Sequence, residues 1–187
     1  MQSLIIFASG NGSNAQAIIS YFKEGKDVEI SLIVSNKSDA GVLQIANEEN
    51  IPSLILTKAE LSSADTLERL QTFKPTLIVL AGFLLKIPAS FVAAFPRKII
   101  NIHPALLPSF GGKGMWGHHV HQAVIDAQET QSGITIHTID EVYDRGEILL
   151  QARCEVLPTD DASSLAAKVQ KLEHYFFPRT LDFLLQA

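Results

Sequence analysis

Short apolar runs of five to seven residues recur through the first hundred positions, and none alternates strictly in polarity. They are SLIIFA (3–8), EISLIVS (29–35), PSLIL (52–56), TLIVLA (76–81) and KIINI (98–102). A strand without a polar face must be covered on both sides, which is the condition of a parallel sheet layered between helices. The intervening segments supply that cover. Asn14–Glu24, Ala40–Asn50, Ser63–Phe73 and Pro88–Phe95 carry apolar residues at helical spacing, with Asn14 and Ser63 as caps and Pro88 at a helix start. Parallel neighbours cannot be joined by a tight turn. The alternation therefore predicts an α/β fold, a doubly wound, mostly parallel sheet with helices on both faces.

After residue 103 the pattern changes. VHQAVIDA (120–127) reads as a helix, GITIHTI (133–139) alternates like a half-buried strand, and EILLQARCEV (147–156) reads as a further strand. The turn DEVYDRG joins the last two, which either pair antiparallel or flank the sheet edge. A final helix is expected from Asp161 past Glu173 to the end, kinked or interrupted at Pro178. With 187 residues, 47% of them hydrophobic, the chain suits one domain over 1–187, with an N-terminal half of about 1–100 and a C-terminal half of about 101–187.

Charge and composition exclude several roles. Fifteen basic against twenty acidic residues give a net charge of -5, with no basic run to follow a phosphate backbone. That argues against nucleic acid and anionic membrane as partners. No segment approaches the roughly 18 apolar residues of a membrane span. The first apolar run starts beside Met1 with no cationic segment before it, and Cys154 is the single cysteine. The expectation is a cytoplasmic protein without an internal disulfide or a cysteine-based metal centre.

Two places carry chemistry. Gly10, Asn11, Gly12, Ser13 and Asn14 follow the first apolar run and open the first helix. Glycines admit close approach of a ligand and the free amides of a helix start attract anions, so the stretch suits a phosphate; a plain strand-to-helix turn capped by Asn14 uses the same residues. The dinucleotide pattern G-x-G-x-x-G fails at Ala15, against NAD. KIINIHP then places Asn101 and His103 on one side of a strand end, where open α/β sheets bind ligands. A histidine there exchanges protons near neutrality, and a carboxamide donates to an oxyanion. Asp144, in the turn EVYDRGE, reaches His103 only through the fold; a carboxylate beside an imidazole orients it and favours its charged form. Taken singly, each has a bland role open to it: strand-end histidine, buried hydrogen-bonder, turn residue. HHVH (118–121) just before a helix invites a metal, but no carboxylate or cysteine at a usual spacing completes a set, and no metal is assigned. GGKGMWG is not a Walker A loop, because Gly114 follows Lys113. Cys154 receives no chemistry, and Trp116 either stacks on a ligand or anchors its loop.

Together these motifs resemble a known family. NIHPALLP is similar to the N-I-H-P-S-L-L-P signature of the formyltransferases that use 10-formyltetrahydrofolate, and GITIHTIDEVYDRGEILLQ resembles their G-x-T-V-H…D-x-G…Q segment. SGNGSN at the start and QKLEH (170–174) extend the likeness over nearly the whole chain. The resemblance implies a Rossmann-like formyltransferase fold and an enzyme of purine biosynthesis. Its co-substrate would be 10-formyltetrahydrofolate, and its acceptor the amine of N1-(5-phospho-D-ribosyl)glycinamide. It implies Asn101, His103 and Asp144 as catalytic trio, Gly12, Ser13 and Asn14 at the substrate phosphate, and Gln170 and Glu173 on the ribonucleotide, Glu173 beside its amine. AGFLLKI corresponds to a folate-binding loop, with Leu84, Leu85 and Ile87 at the pteridine and Lys86 available to the glutamate tail. Asn101 and the backbone from Ile139 through Asp140 to Asp144 join the folate contacts, and His137 lies close by. The implied partners are these two small molecules, with no nucleic acid, membrane or metal, in a monomer or weak homodimer. The chain also departs from the family's pattern. SFGGKGMWGHH replaces the common KYPGLH, which makes the glycine-rich 110–118 stretch a lid or a surface elaboration. Leu85 stands where many relatives carry arginine, and TKAELSSADT is shortened. The same residues would also serve hydrolysis of the formyl folate or transfer to another amine, and a non-catalytic binding protein would keep the phosphate turn.

Overall fold

The five continuous apolar runs form the parallel part of one sheet. The computed structural model describes residues 1–186 apart from 24, 26, 141 and 143. Among these, β1 (Gln2–Phe7), β2 (Val28–Ser35), β3 (Ser53–Ile55), β4 (Leu77–Leu80), β5 (Ile99–His103), β6 (Gln131–Thr138) and β7 (Ile148–Glu155) lie in the order β3-β2-β1-β4-β5-β6-β7. Neighbours from β3 to β5 are parallel; β5–β6 and β6–β7 are antiparallel, with β7 on the edge. The chain winds outward from β1 to β3 and then returns to place β4 on the other side of β1. That reversal opens a crevice at the carboxyl ends of β1 and β4.

Helices cover both faces. Leu4, Ile6, Val79 and Ile100 meet α1 (Ser13–Phe22), α2 (Gly41–Glu48), α6 (His118–Asp126) and α7 (Ala162–Gln186) on one side. Ile5, Phe7, Ile78 and Ile99 meet α3 (Lys58–Leu61), α4 (Ala64–Thr72) and α5 (Ala89–Ala94) on the other. Burial of these side chains on both faces explains why the strands show no alternation. No described helix is long and apolar enough to cross a membrane.

Several local expectations change. Ser63 caps α4 by accepting from Thr66 N at 3.2 Å, but α1 is capped by Gly12, not Asn14. Gly12 sits at φ 80, and a Cβ there would meet Val42 and Ile45 of α2, so only glycine fits the turn. Asn14 is inside the helix, and its amide is engaged elsewhere. The expected end of this helix at Glu24 lies outside the described residues. TKAELSSADT contains the unexpected helix α3, closed by a capping box between Thr57 and Glu60. His118 and His119 form the first turn of α6 rather than preceding it. Pro178 does not interrupt α7: it is buried, and the neighbouring carbonyls of Tyr175 and Phe176 accept from the side chains of Arg179 (2.8 Å) and Thr180 (2.9 Å).

β6 is also deeper than its alternation implies. Residues 132–137 are all buried, because the polar side of the strand is roofed by the chain after β5. Thr135 Oγ1 donates to Ala105 O (2.7 Å) and accepts from Leu107 N (3.0 Å), and Gln151 Nε2 donates to Leu107 O (2.9 Å). Where β6 meets β7, a Cβ on Gly133 would strike the backbone carbonyl of Ala152. Gly133→Ala is therefore expected to cost about 3 kcal/mol, the upper end of ordinary overpacking, since backbone must move. Thermal unfolding would show it as a Tm lowered by about 6–12 °C.

Candidate active site

The loops after β1 and β4, the chain after β5, the turn after β6 and one face of α7 enclose a cleft of about 1060 Å³. That volume is at the top of the usual range for a single small-molecule site. Every catalytic and binding residue that the resemblance implies lines it, whether from the phosphate turn, the 84–87 loop, the strand end, Ile139, Asp140 and Asp144, or α7.

At its centre, β5 and β6 pair so that Asn101 faces His137 and His103 faces Thr135, with both β5 side chains on the Ile99 side of the sheet. His137 Nδ1 lies 2.7 Å from Thr138 O, and a carbonyl only accepts, so Nδ1 carries a proton. Burial, the largest influence on this ring, lowers its pKa and keeps it neutral; Nε2 is then an acceptor, and Asn101 Nδ2 donates to it at 3.0 Å. One hydrogen of that amide remains for a ligand. His103 Nε2 donates to Phe110 O at 2.7 Å, which leaves Nδ1 facing Asp144 Oδ2 at 3.8 Å. The other carboxylate oxygen lies 3.7 Å from His137 Nε2. Asp144 itself is only 12% exposed and is tied down by Gly112 N–H at 2.8 Å.

Two residues around His103 are strained. Phe110 has φ 55 and Asp144 φ 54, the left-handed region, which is costly for a bulky side chain and tolerated by aspartate. Both are His103's neighbours in the site, so backbone energy is spent on placing them. Of the 139–144 turn, residues 141 and 143 lie outside the described residues; Ile139 and Asp140 line the cleft.

The phosphate turn meets α7. Gln170 Nε2 donates to Ser13 Oγ at 3.2 Å, and Asn14 Nδ2 donates to Glu173 Oε2 at 3.0 Å, leaving Asn14 Oδ1 buried without a partner among the described residues. Burial pushes the Glu173 carboxyl above the usual carboxylate range, against a smaller opposing effect of the Asn14 hydrogen bond. On the other side of the cleft, Ser9 Oγ accepts from Leu84 N at 2.9 Å and so joins the β1 and β4 loops, with Leu84 exposed, Leu85 half-buried and Ile87 in the core.

Sequence reasoning passed over Lys37 and the small side of α7, and weighed His121 only within HHVH, where no metal is assigned. Lys37 lies just past the carboxyl end of β2, a position that signals ligand contact in parallel sheets. Ser163, Ala166, Ala167 and Gln170 recur at helical spacing on one face, a legible stripe whose smallness leaves room for a ligand. Trp116 is half exposed and stands edge-on to His119, with ring centroids 5.4 Å apart.

A family model described as formyl transferase matches residues 2–181. The chain belongs to the formyl transferase family. A chloroplastic phosphoribosylglycinamide formyltransferase of Vigna unguiculata is 41% identical over 99% of this chain, which spans 61% of that protein's length. Phosphoribosylglycinamide formyltransferase of Bacillus subtilis (strain 168) is 36% identical, over 99% of this chain and 95% of its own. The crystal structure of the same-named protein from Anaplasma phagocytophilum superposes with a TM-score of 0.91 at 34% identity, covering 98% of this chain and 86% of that one. The mostly parallel sheet is thus the architecture of this formyl transferase group.

The environment of Glu173 makes the stability of this family member depend on pH. Its folded pKa is raised, so its contribution to stability is present below the unfolded carboxylate range and is lost as pH rises through the folded value. Glu173→Gln removes the buried charge and is expected to raise Tm by about 2–4 °C at pH 8, the scale of roughly 1 kcal/mol. The gain should vanish as thermal unfolding is repeated down to pH 4.

Proposed function

We propose that this chain transfers the formyl group of 10-formyltetrahydrofolate to the glycinamide amine of N1-(5-phospho-D-ribosyl)glycinamide, in purine biosynthesis, as a cytoplasmic monomer or weak homodimer. The observation that carries the reading is the grouping of Asn101, His103, His137 and Asp144 in one cleft, with the helix-start turn Gly12–Asn14 on one arm and the Leu84–Ile87 loop on the other. The α1 turn and Gln170 would hold the acceptor through its phosphate. The apolar loop and Ile139–Asp140 backbone would take the pteridine, leaving the formyl group at the centre.

Attack of the amine nitrogen on the formyl carbon makes the new C–N bond and puts negative charge on the formyl oxygen. The free hydrogen of Asn101 Nδ2, held in place by His137, is the donor for that oxyanion. His103 has given Nε2–H to Phe110, so Nδ1 is the nitrogen that takes a proton from the attacking amine and returns one to the leaving folate nitrogen. Asp144 Oδ2 stabilises the imidazolium in between. Collapse of the adduct breaks the bond to the folate nitrogen and releases tetrahydrofolate.

Two measurements test the reading. Folate release from 10-formyltetrahydrofolate, followed by absorbance, should depend on added ribonucleotide; release with water alone would make the chain a hydrolase instead. Asp144→Asn should lower kcat by about 100-fold or more while both KM values change little. An unchanged kcat would remove Asp144 from the proton path.

A further inference from the structure

His121 is a titratable side chain that this reaction leaves unused. Its ring is 6% exposed and lines the cleft from α6. Nδ1 is sealed without a hydrogen-bond partner among the described residues, so a proton there would have no acceptor; the neutral ring carries its proton on Nε2, the nitrogen that is not sealed. Burial first, then the charges of His118 and His103, lowers its pKa and keeps the ring neutral.

α6 packs against α7 on the face of the sheet that also carries α1, and His121 enters the cleft from that side. There the start of α6 opens to the cleft through Gly117 and His118, and no side chain among the described residues caps it: Gly117, at φ 57 and ψ -134, is the N-cap. First-turn amides of a nine-residue helix point out of its start toward the same space.

The acceptor arm needs such donors. The turn from Gly10 to Asn14 contains no cation and Asn14 Nδ2 is committed to Glu173, which leaves the turn its backbone amides and the Ser13 hydroxyl as donors. A phosphate dianion offers more acceptor positions than that turn can fill.

We infer that the N-terminal turn of α6 and His121 Nε2–H form a second oxyanion-binding wall, which holds the acceptor's phosphate together with the α1 turn. The inference rests on the proposed acceptor. It makes His121 a binding residue, distinct from the proton-transfer group.

The test compares His121→Leu, which removes the donor, with His121→Gln, whose amide offers one near the Nε2 position. Steady-state rates are measured with the ribonucleotide, and inorganic phosphate binding to the free protein by calorimetry. His121→Leu is expected to raise the ribonucleotide KM about tenfold or more and to weaken phosphate binding by a similar factor. The KM for formyl folate should stay unchanged, and His121→Gln should recover most of both losses. Should His121→Leu not fold, His121→Asn, whose shorter amide cannot reach the Nε2 position, replaces it with the same expectation. Unchanged KM and phosphate binding would overturn the inference. So would a fall in kcat alone, which would put His121 with the chemistry, or a higher KM with phosphate binding intact, which would assign it another acceptor oxygen. If the wild-type protein does not use the ribonucleotide, the proposed reaction fails; the phosphate titration of wild type against variant still decides the site.

Discussion

The hydrogen bond between Asn101 and His137 exists because the sheet reverses direction after β5. An antiparallel partner puts the two side chains directly opposite on one face, and it sends the chain after β5 and the chain after β6 off from opposite ends of the pair. Both segments then fold back over that face. They meet where Gly112 N–H binds Asp144 Oδ2, above His103. A sheet that stayed parallel through β6 would leave both loops at one end and the face of β5 to a crossover helix.

That arrangement creates a buried polar group inside an apolar fold, and its members are satisfied by one another. His137 is fixed by a carbonyl on one nitrogen and a carboxamide on the other, and His103 is fixed by Phe110 O. A neutral His137 gives Asn101 an acceptor and so leaves the second amide hydrogen aimed elsewhere; a charged one would turn the amide round. The left-handed backbones of Phe110 and Asp144 show what this costs. Strain of that kind persists only where surrounding contacts hold it, here the His103 bond to Phe110 O and the Gly112 N–H bond to Asp144 Oδ2.

The parallel half was legible because its pattern has one physical solution. Continuous apolar runs need cover on both faces, and the structure supplies it with two helical layers. Capping was read less well. Ser63 caps α4 as local chemistry dictates, while Asn14 was drawn away from its cap by Glu173, a residue more than 150 positions later in the chain. GITIHTI alternates as a half-exposed strand would, yet it is buried from Gly133 to His137, because the polar side is covered by hydrogen bonds from a distant loop rather than by apolar contacts. Pro178 reads locally as a break, and packing of its ring in the core carries α7 past it.

By itself, then, the sequence determined the strand–helix order, the sidedness of Asn101 and His103, and the glycine turn at Gly12. Each follows from chain-local geometry: period, alternation and φ. Its motifs also named Asp144, although nothing local connects that turn to the strand end. Only the tertiary structure decided that the carboxylate stands beside His103, that His137 supports Asn101, and that Lys37, His121 and the small face of α7 share their cleft. These depend on which strands neighbour one another and in which direction, and such long-range pairings leave no periodic trace in any one segment.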